Sequence, residues 1–219
     1  MGTDRHLIRI GLRSFLMCCL ALMALTHVGA ASAAAQTDAQ VQAALKELKA
    51  SGETFLKLIE PLTQEQWDFR PQGVRRSIGN EAEHVALSEN DLQRVVQQAL
   101  DAKVDPVKAK QLAGKEKEVK EQMLNPKRTA EFYKVPGRLN SKAEVQEFFQ
   151  RAHRNAIQML ESSEDLSTHI HEHPNEKYGE LTGMQWFYYI TYHKLRHCNQ
   201  IKAIMARPGF PTGQSSADD

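Results

Sequence analysis

Four stretches of this chain repeat apolar residues at intervals of three and four positions, and no stretch alternates apolar with polar. A period near 3.6 buries one stripe of a helix, whereas a half-buried strand needs a period of two, so the pattern confines the chain to an all-α fold. The first stretch holds Val41, Ala44, Leu45, Leu48, Phe55, Leu58, Ile59 and Leu62 and predicts a helix over 38–60, ended by Pro61. The second follows a Ser77 N-cap and covers 78–101, with Ala82, Val85, Ala86, Leu92, Val96 and Leu100 as its stripe. The third opens on a Ser141–Glu144 capping box and runs over 142–163 through Val145, Phe148, Phe149, Ala152, Ala156, Ile157 and Leu160. The fourth opens on a second box, Thr182–Gln185, and runs over 183–206 until Arg207-Pro208-Gly209 stops it.

Between the second and third helices lies a long connection, residues 102–140. Its middle, Pro106 to Leu124, is rich in Lys and Glu and weakly amphipathic, which predicts a solvated helix. Asn125-Pro126 and Pro136-Gly137 break the chain beyond it. Short links force each helix antiparallel to the last. A connection this long lets the second and third helices run parallel, so the expected architecture is a four-helix bundle with a helical crossover. Residues from about Ser167 to Leu181 read as a loop carrying His169, His171 and His173, and 207–219 as a disordered polar tail.

The first 35 residues read as an export signal. Arg5, Arg9 and Arg13 precede an apolar run from Phe15 to Leu25, too short for a comfortable membrane span. Small residues follow, and both Ala31-Ser32-Ala33 and Ala33-Ala34-Ala35 fit a cleavage site. The expectation is a periplasmic or secreted protein, cut after Ala33 or Ala35, with no stable membrane span after cleavage; a retained N-terminal anchor is the alternative. The remaining chain, from about Gln36, is one domain's worth of residues. The leader holds three arginines and one aspartate, so the chain's formal +1 falls to about −1 on its removal. With no basic excess, nucleic acid is not an expected partner. Cys18 and Cys19 leave with the leader, and Cys198, alone, cannot form an intramolecular disulfide.

In the last helix, Trp186, Ile190, His193, His197, Gln200 and Ile204 share one stripe. His193 and His197, four apart, leave one face a turn from each other, a spacing that lets two ring nitrogens reach one ion. Satisfied core histidines are the plain alternative for any one of them; two on an apolar stripe would each need a buried partner. Zinc proteases place a glutamate directly after the first such histidine as general base, and here that position is Lys194. His84, in the second helix, borders its apolar stripe and is the third candidate. Imidazole donors suit zinc, nickel, copper or iron. Glu81, Glu83 and Gln200 are candidates to orient the ligands. His153 reads as a boundary residue, Cys198 as a buried apolar group, and Trp186 as core or pocket lining.

Two segments together, Ser77-Ile78-Gly79-Asn80-Glu81-Ala82-Glu83-His84-Val85-Ala86 and Thr182-Gly183-Met184-Gln185 with His193-Lys194-Leu195-Arg196-His197-Cys198-Asn199-Gln200-Ile201, resemble the DinB-like (DNA-damage-inducible) superfamily. The resemblance extends over most of the chain after the leader. It implies an up-down-down-up four-helix bundle that binds a divalent metal, commonly zinc or nickel, through one histidine of the second helix and two of the last. Carried over, the ligands are His84, His193 and His197. His171 or His173 is then the first candidate for a fourth ligand, because their loop leads into the last helix. Some relatives are thiol-dependent transferases or isomerases whose thiols are cytoplasmic, so export argues for another metal-assisted reaction or for none. The expectations are therefore a metal-dependent enzyme, hydrolase or thiol-dependent transferase, taking a small molecule at an open coordination position, or a non-catalytic module in which the ion is structural. A homodimer fits a small bundle of this family.

Overall fold

A computed structural model describes residues 26–74, 76–126, 137–172 and 178–212, the side chains only from Ala39. Among them are seven helices and one two-stranded sheet: α1 Thr26–Ile59, α2 Gln64–Asp68, α3 Ile78–Asp101, α4 Pro106–Gln111, α5 Lys115–Leu124, α6 Lys142–Ser162, β1 Ile170–Glu172, β2 Glu180–Thr182 and α7 Gly183–Met205. The chain divides into two compact units, Met1–Ala43 and Ala44–Asp219. Of the first unit only helix, from Thr26 onward, is described, and the rest of the expected signal peptide lies outside the described residues. The helix begins twelve residues before the predicted start because Ala30 to Ala35 are nearly all alanine, the strongest helix former, and carry no apolar period that would mark them. Among the described residues no helix is long and apolar enough to cross a membrane.

The second unit is built around one core. Phe55 and Ile59 of α1, Ile78, Ala82, Val85 and Ala86 of α3, Val145 and Phe149 of α6, and Cys198 and Ile201 of α7 form a single buried cluster. Each large apolar side chain fully removed from water contributes roughly 1.5–3 kcal/mol, so the seven large members, without Ala82, Ala86 and Cys198, outweigh any single polar contact in the unit. Phe55 and Phe149 tilt against each other with ring centroids 4.5 Å apart. α3 packs along both α6 and α7.

Local signals account for the helix starts. The Ser77 hydroxyl accepts from Asn80 N while the Asn80 side chain accepts from Ser77 N. Thr182 and Gln185 form the same reciprocal box at α7. Ser141 caps α6 through Glu144 N, but the expected box does not close: Glu144 Oε2 instead accepts from Asn140 N at 2.6 Å. The one-turn helix α2 was not predicted, although Thr63–Gln66 is a third reciprocal box.

Three expectations about the connections need correction. The charge-rich segment is two helices, separated at Leu112–Gly114, where Gly114 takes φ +88°, a left-handed conformation that costs other residues about 1–2 kcal/mol. It is not simply solvated: α5 packs along α7, with Val119 and Met123, one turn apart, fully buried. Gln185 Nε2 donates to Leu112 O at 2.6 Å and Lys115 Nζ to Tyr178 O at 2.7 Å, which fastens the connection over the start of α7. The presumed loop before α7 contains the antiparallel pair β1–β2, with Ile170 opposite Thr182 and His171 opposite Leu181. Three-residue strands are too short to show a period. The expected tail is held at its beginning: Phe210 meets Phe69 edge-on at 5.4 Å and Pro211 O accepts from Gln66 Nε2 at 2.9 Å. Residues 213–219 lie outside the described residues.

Candidate metal centre

The structure brings His84, His193 and His197 together. Each offers a ring nitrogen, the three nitrogens all lying within 4.8 Å of one another, and all three residues are buried. His84 Nε2 is 3.4 Å from His193 Nε2, which is 3.2 Å from His197 Nε2. Helix geometry explains the pair on α7: a four-residue step brings the rings together edge to face, with centroids 4.6 Å apart and planes at 60°. α3 delivers the third ring, 4.5 Å from that of His197.

These separations can be tested against an ion. Two nitrogens each ~2.0–2.1 Å from one tetrahedral zinc stand ~3.3 Å apart, the value found for both measured pairs. The protonation states fit as well. Burial, aided by the charges of His197, Arg76 and Arg196, pushes the His84 imidazole down to about 2. Burial also lowers His197, against the opposing hydrogen bond and charge of Glu81. Both rings are therefore neutral near neutral pH, the form that ligates a metal.

Glu81 sets one tautomer. His197 Nδ1–H donates to Glu81 Oε2 at 2.8 Å, so Nε2, the nitrogen turned toward the other two rings, keeps its lone pair. Burial would raise the Glu81 carboxyl, but the hydrogen bond and charge of His197 and the Arg76 guanidinium outweigh it and leave it below its ordinary value. Arg76 Nη1 reaches both Glu81 oxygens, at 3.3 and 3.4 Å. Ser88 Oγ, one turn along α3, lies 3.2 Å from His84 Nδ1 and 3.3 Å from Nε2. Tyr189 stacks on His193, with centroids 6.0 Å apart and planes 11° from parallel.

Glu83 has a different task from the one expected. Its Oε1 accepts from Arg138 N at 2.6 Å and Leu139 N at 3.2 Å and so ties the end of the long connection to α3. The glutamates separate because Glu81 is three residues before His84, on its face, and Glu83 only one, about 100° away. Gln200 makes no bond to a histidine; its buried Oε1 has no hydrogen-bond partner, and it lines a cavity of about 200 Å³ with Met123, Arg196 and Asn199. His171 is not among the converging ligands: as a β1 residue it sits opposite Leu181, while His169 Nδ1 donates to Ala102 O at 3.1 Å. His173 lies outside the described residues. Trp186 is fully buried against Tyr189 and is absent from that cavity's walls. Cys198 is buried in the core, and burial pushes its thiol up to about 11, which makes it a poor nucleophile.

Two residues are placed differently from what the sequence implies. His153 is no boundary residue, and Lys194 is more than the absence of a glutamate. Lys194 Nζ, 1 % exposed, lies 3.0 Å from Glu89 Oε1, 3.2 Å from Ser51 Oγ and 3.1 Å from His153 Nδ1. His153 Nδ1 is itself 2.7 Å from Glu89 Oε1. The available signal was the apolar run of α7 on either side of the His193-Lys194 pair, because a lysine in a buried stretch must find a buried partner.

A family model described as the DinB superfamily matches residues 47–201, a span that takes in all three histidines and Glu81. No curated protein and no solved structure matches the chain.

Proposed function

The chain belongs to the DinB superfamily, and from that premise we propose that it binds a divalent metal through His84, His193 and His197 and presents an open coordination position to a small molecule. The observation that carries this reading is the convergence of three buried imidazoles, with two nitrogen pairs at the spacing a common ion requires. Zinc and nickel are the first candidates, iron and copper the next, since imidazole does not discriminate among them. Three protein ligands favour a working ion over a structural one, which usually takes four. A bound ion supplies a Lewis acid at the open position, the requirement for hydrolysis or thiol transfer. The protein's own contribution is fixed by its side chains: Glu81 holds the His197 tautomer, Arg76 holds Glu81, and burial keeps protons off His84 and His197. The contrary reading, a structural ion, draws support from the burial of every ligand and from the tie it would make between α3 and α7.

The architecture we assign is the up-down-down-up bundle of α1, α3, α6 and α7. Residue pairings support it. Lys49–Glu161 and Phe55–Phe149 run in opposite senses along α1 and α6. Glu81–His197 and His84–His193 do the same along α3 and α7. Glu47–Tyr192 and Ser51–Lys194 run in the same sense along α1 and α7. Export is part of the proposal; material recovered from a periplasm should begin near Ala34 or Gln36, and an intact Met1 would contradict it.

Metal analysis tests the site. The purified protein should carry a stoichiometric divalent ion, and His84→Ala and His193→Ala should each lose it. Undiminished metal in both variants ends this reading. If cobalt-loaded protein changes its visible spectrum on addition of small thiols, a position is exchangeable; a spectrum that never responds assigns the ion to structure.

A further inference from the structure

Beyond the three ligands, each of the four long helices sends one polar side chain to a second buried point: Ser51 from α1, Glu89 from α3, His153 from α6 and Lys194 from α7. Glu89 and Lys194 are 2 % and 1 % exposed, and Ser51 is 1 % exposed. The hydrogen bonds interlock. Lys194 Nζ donates to Glu89 Oε1 and Ser51 Oγ, and His153 Nδ1–H donates to the same Glu89 oxygen. Gln93, one turn beyond Glu89, donates to Ala152 O at 2.8 Å and binds α3 to α6 beside the cluster. His153 is seated by shape: a Cβ on Gly52 would come within 2.1 Å of its Nε2, and its ring stacks on Phe149 with planes 12° apart.

Such a cluster is a poor source of stability. Removing a buried ion pair from water costs several kcal/mol per ion, and apolar replacements of like volume are often neutral or stabilising. What it does supply is direction, because charged hydrogen bonds tolerate little displacement while apolar contacts slide. The placement matters here. Lys194 follows His193 directly on α7, and Glu89 lies five residues after His84 on α3. Any axial slip between α3 and α7 that opened the Glu89–Lys194 contact would also change the 3.4 Å separation of His84 and His193.

We propose that Glu89, Lys194, His153 and Ser51 form a positioning cluster that fixes the register of α7 against α3 and thereby holds the three imidazoles at metal-binding distance. This rests on the metal-binding reading above. Partners bonded directly to a ligand typically alter metal affinity ~10–100-fold when lost, and these four residues stand one step further out, so their loss should cost about 10-fold or less.

Cobalt titration of the full chain tests it, with affinity, visible ligand-field spectrum and metal-free melting temperature read together. The first variant is Glu89→Gln with Lys194→Met. It removes both charges but leaves an oxygen for His153 Nδ1–H, so no unpaired ion is buried. The second is Ser51→Ala, which removes one hydrogen bond from Lys194 and no charge. The expected result is weaker cobalt binding, up to ~10-fold in the double variant and a few-fold in Ser51→Ala, with an altered spectrum and little change in melting temperature. Wild-type affinity and an unchanged spectrum in both variants overturn the proposal. Should the double variant fail to fold, Ser51→Ala decides alone by the same two results. Wild-type protein that binds no cobalt overturns the metal reading itself, and the positioning proposal with it.

Discussion

Replacing Glu81 by alanine isolates the part of the site that is chemistry rather than donor count, because all three imidazoles remain. Two effects oppose each other. The Glu81 hydrogen bond and charge raise His197, so its loss lowers that ring further and reduces proton competition for the ligand. Burial already holds His197 below its ordinary value, however, so near neutral pH the ring is unprotonated in either protein and this gain is negligible. The losses are not negligible. His197 Nδ1–H loses its acceptor in a place too buried for water to replace it, at 1 % exposure, and the ring is free to present the wrong nitrogen. Arg76 loses its ion pair with Glu81, whose negative charge no longer stands beside the ion's place. Second contacts of ligating histidines are typically worth 10–100-fold in affinity, about 1.4–2.7 kcal/mol, and the burial puts Glu81→Ala near the upper end. Glu81→Gln keeps an oxygen for His197 but turns an amide NH₂ toward Arg76, so it should fall between wild type and alanine. Competition against a chromogenic chelator near neutral pH measures the affinities, with helicity checked by circular dichroism. A folded Glu81→Ala protein that binds metal within about twofold of wild type refutes the argument that this carboxylate orients His197.

Two further outcomes follow from the same buried groups and their packing. The metal-free protein should lose about 2 kcal/mol between pH 7.5 and 5 through His84: unfolded, the ring protonates below its ordinary 6.5, while folded it stays neutral down to about 2, so the unfolded state binds the extra proton and stability falls with pH. Urea unfolding at the two pH values measures this, His84→Ala should flatten the slope, and equal or greater stability at the lower pH would contradict the sign. Gly79→Ala should destabilise by up to about 2 kcal/mol, since the new methyl would sit 2.4 Å from Trp67 Nε1 and overpacking costs about 1–3 kcal/mol against alanine's helix advantage of about 1 kcal/mol; a raised melting temperature would show that Trp67 yields freely.

What could be read from the chain divides by sequence distance. Ser77 with Asn80 and Thr182 with Gln185 were legible as helix starts because a cap is settled within four residues. His193 and His197 were legible as a pair for the same reason, one turn being a local quantity. The charge-rich connection misled because Lys and Glu dominate its composition, while Val119 and Met123, the two residues that seat α5 on α7, are a single i, i+4 pair. Glu81 was within reach: its three-residue step to His84 places it on the ligand face, and the one-residue step of Glu83 does not. The cluster of Ser51, Glu89, His153 and Lys194 has no such step to read, since its members lie on four helices and up to 143 residues apart. Only the apolar surroundings of Lys194 hinted at it. The two buried polar sites thus differ in kind. The histidine site carries a repeat that a local rule can recognise, whereas the lysine site exists only once four helices have met, which is why a residue that reads as a missing glutamate becomes an anchor for the helix that carries the ligands.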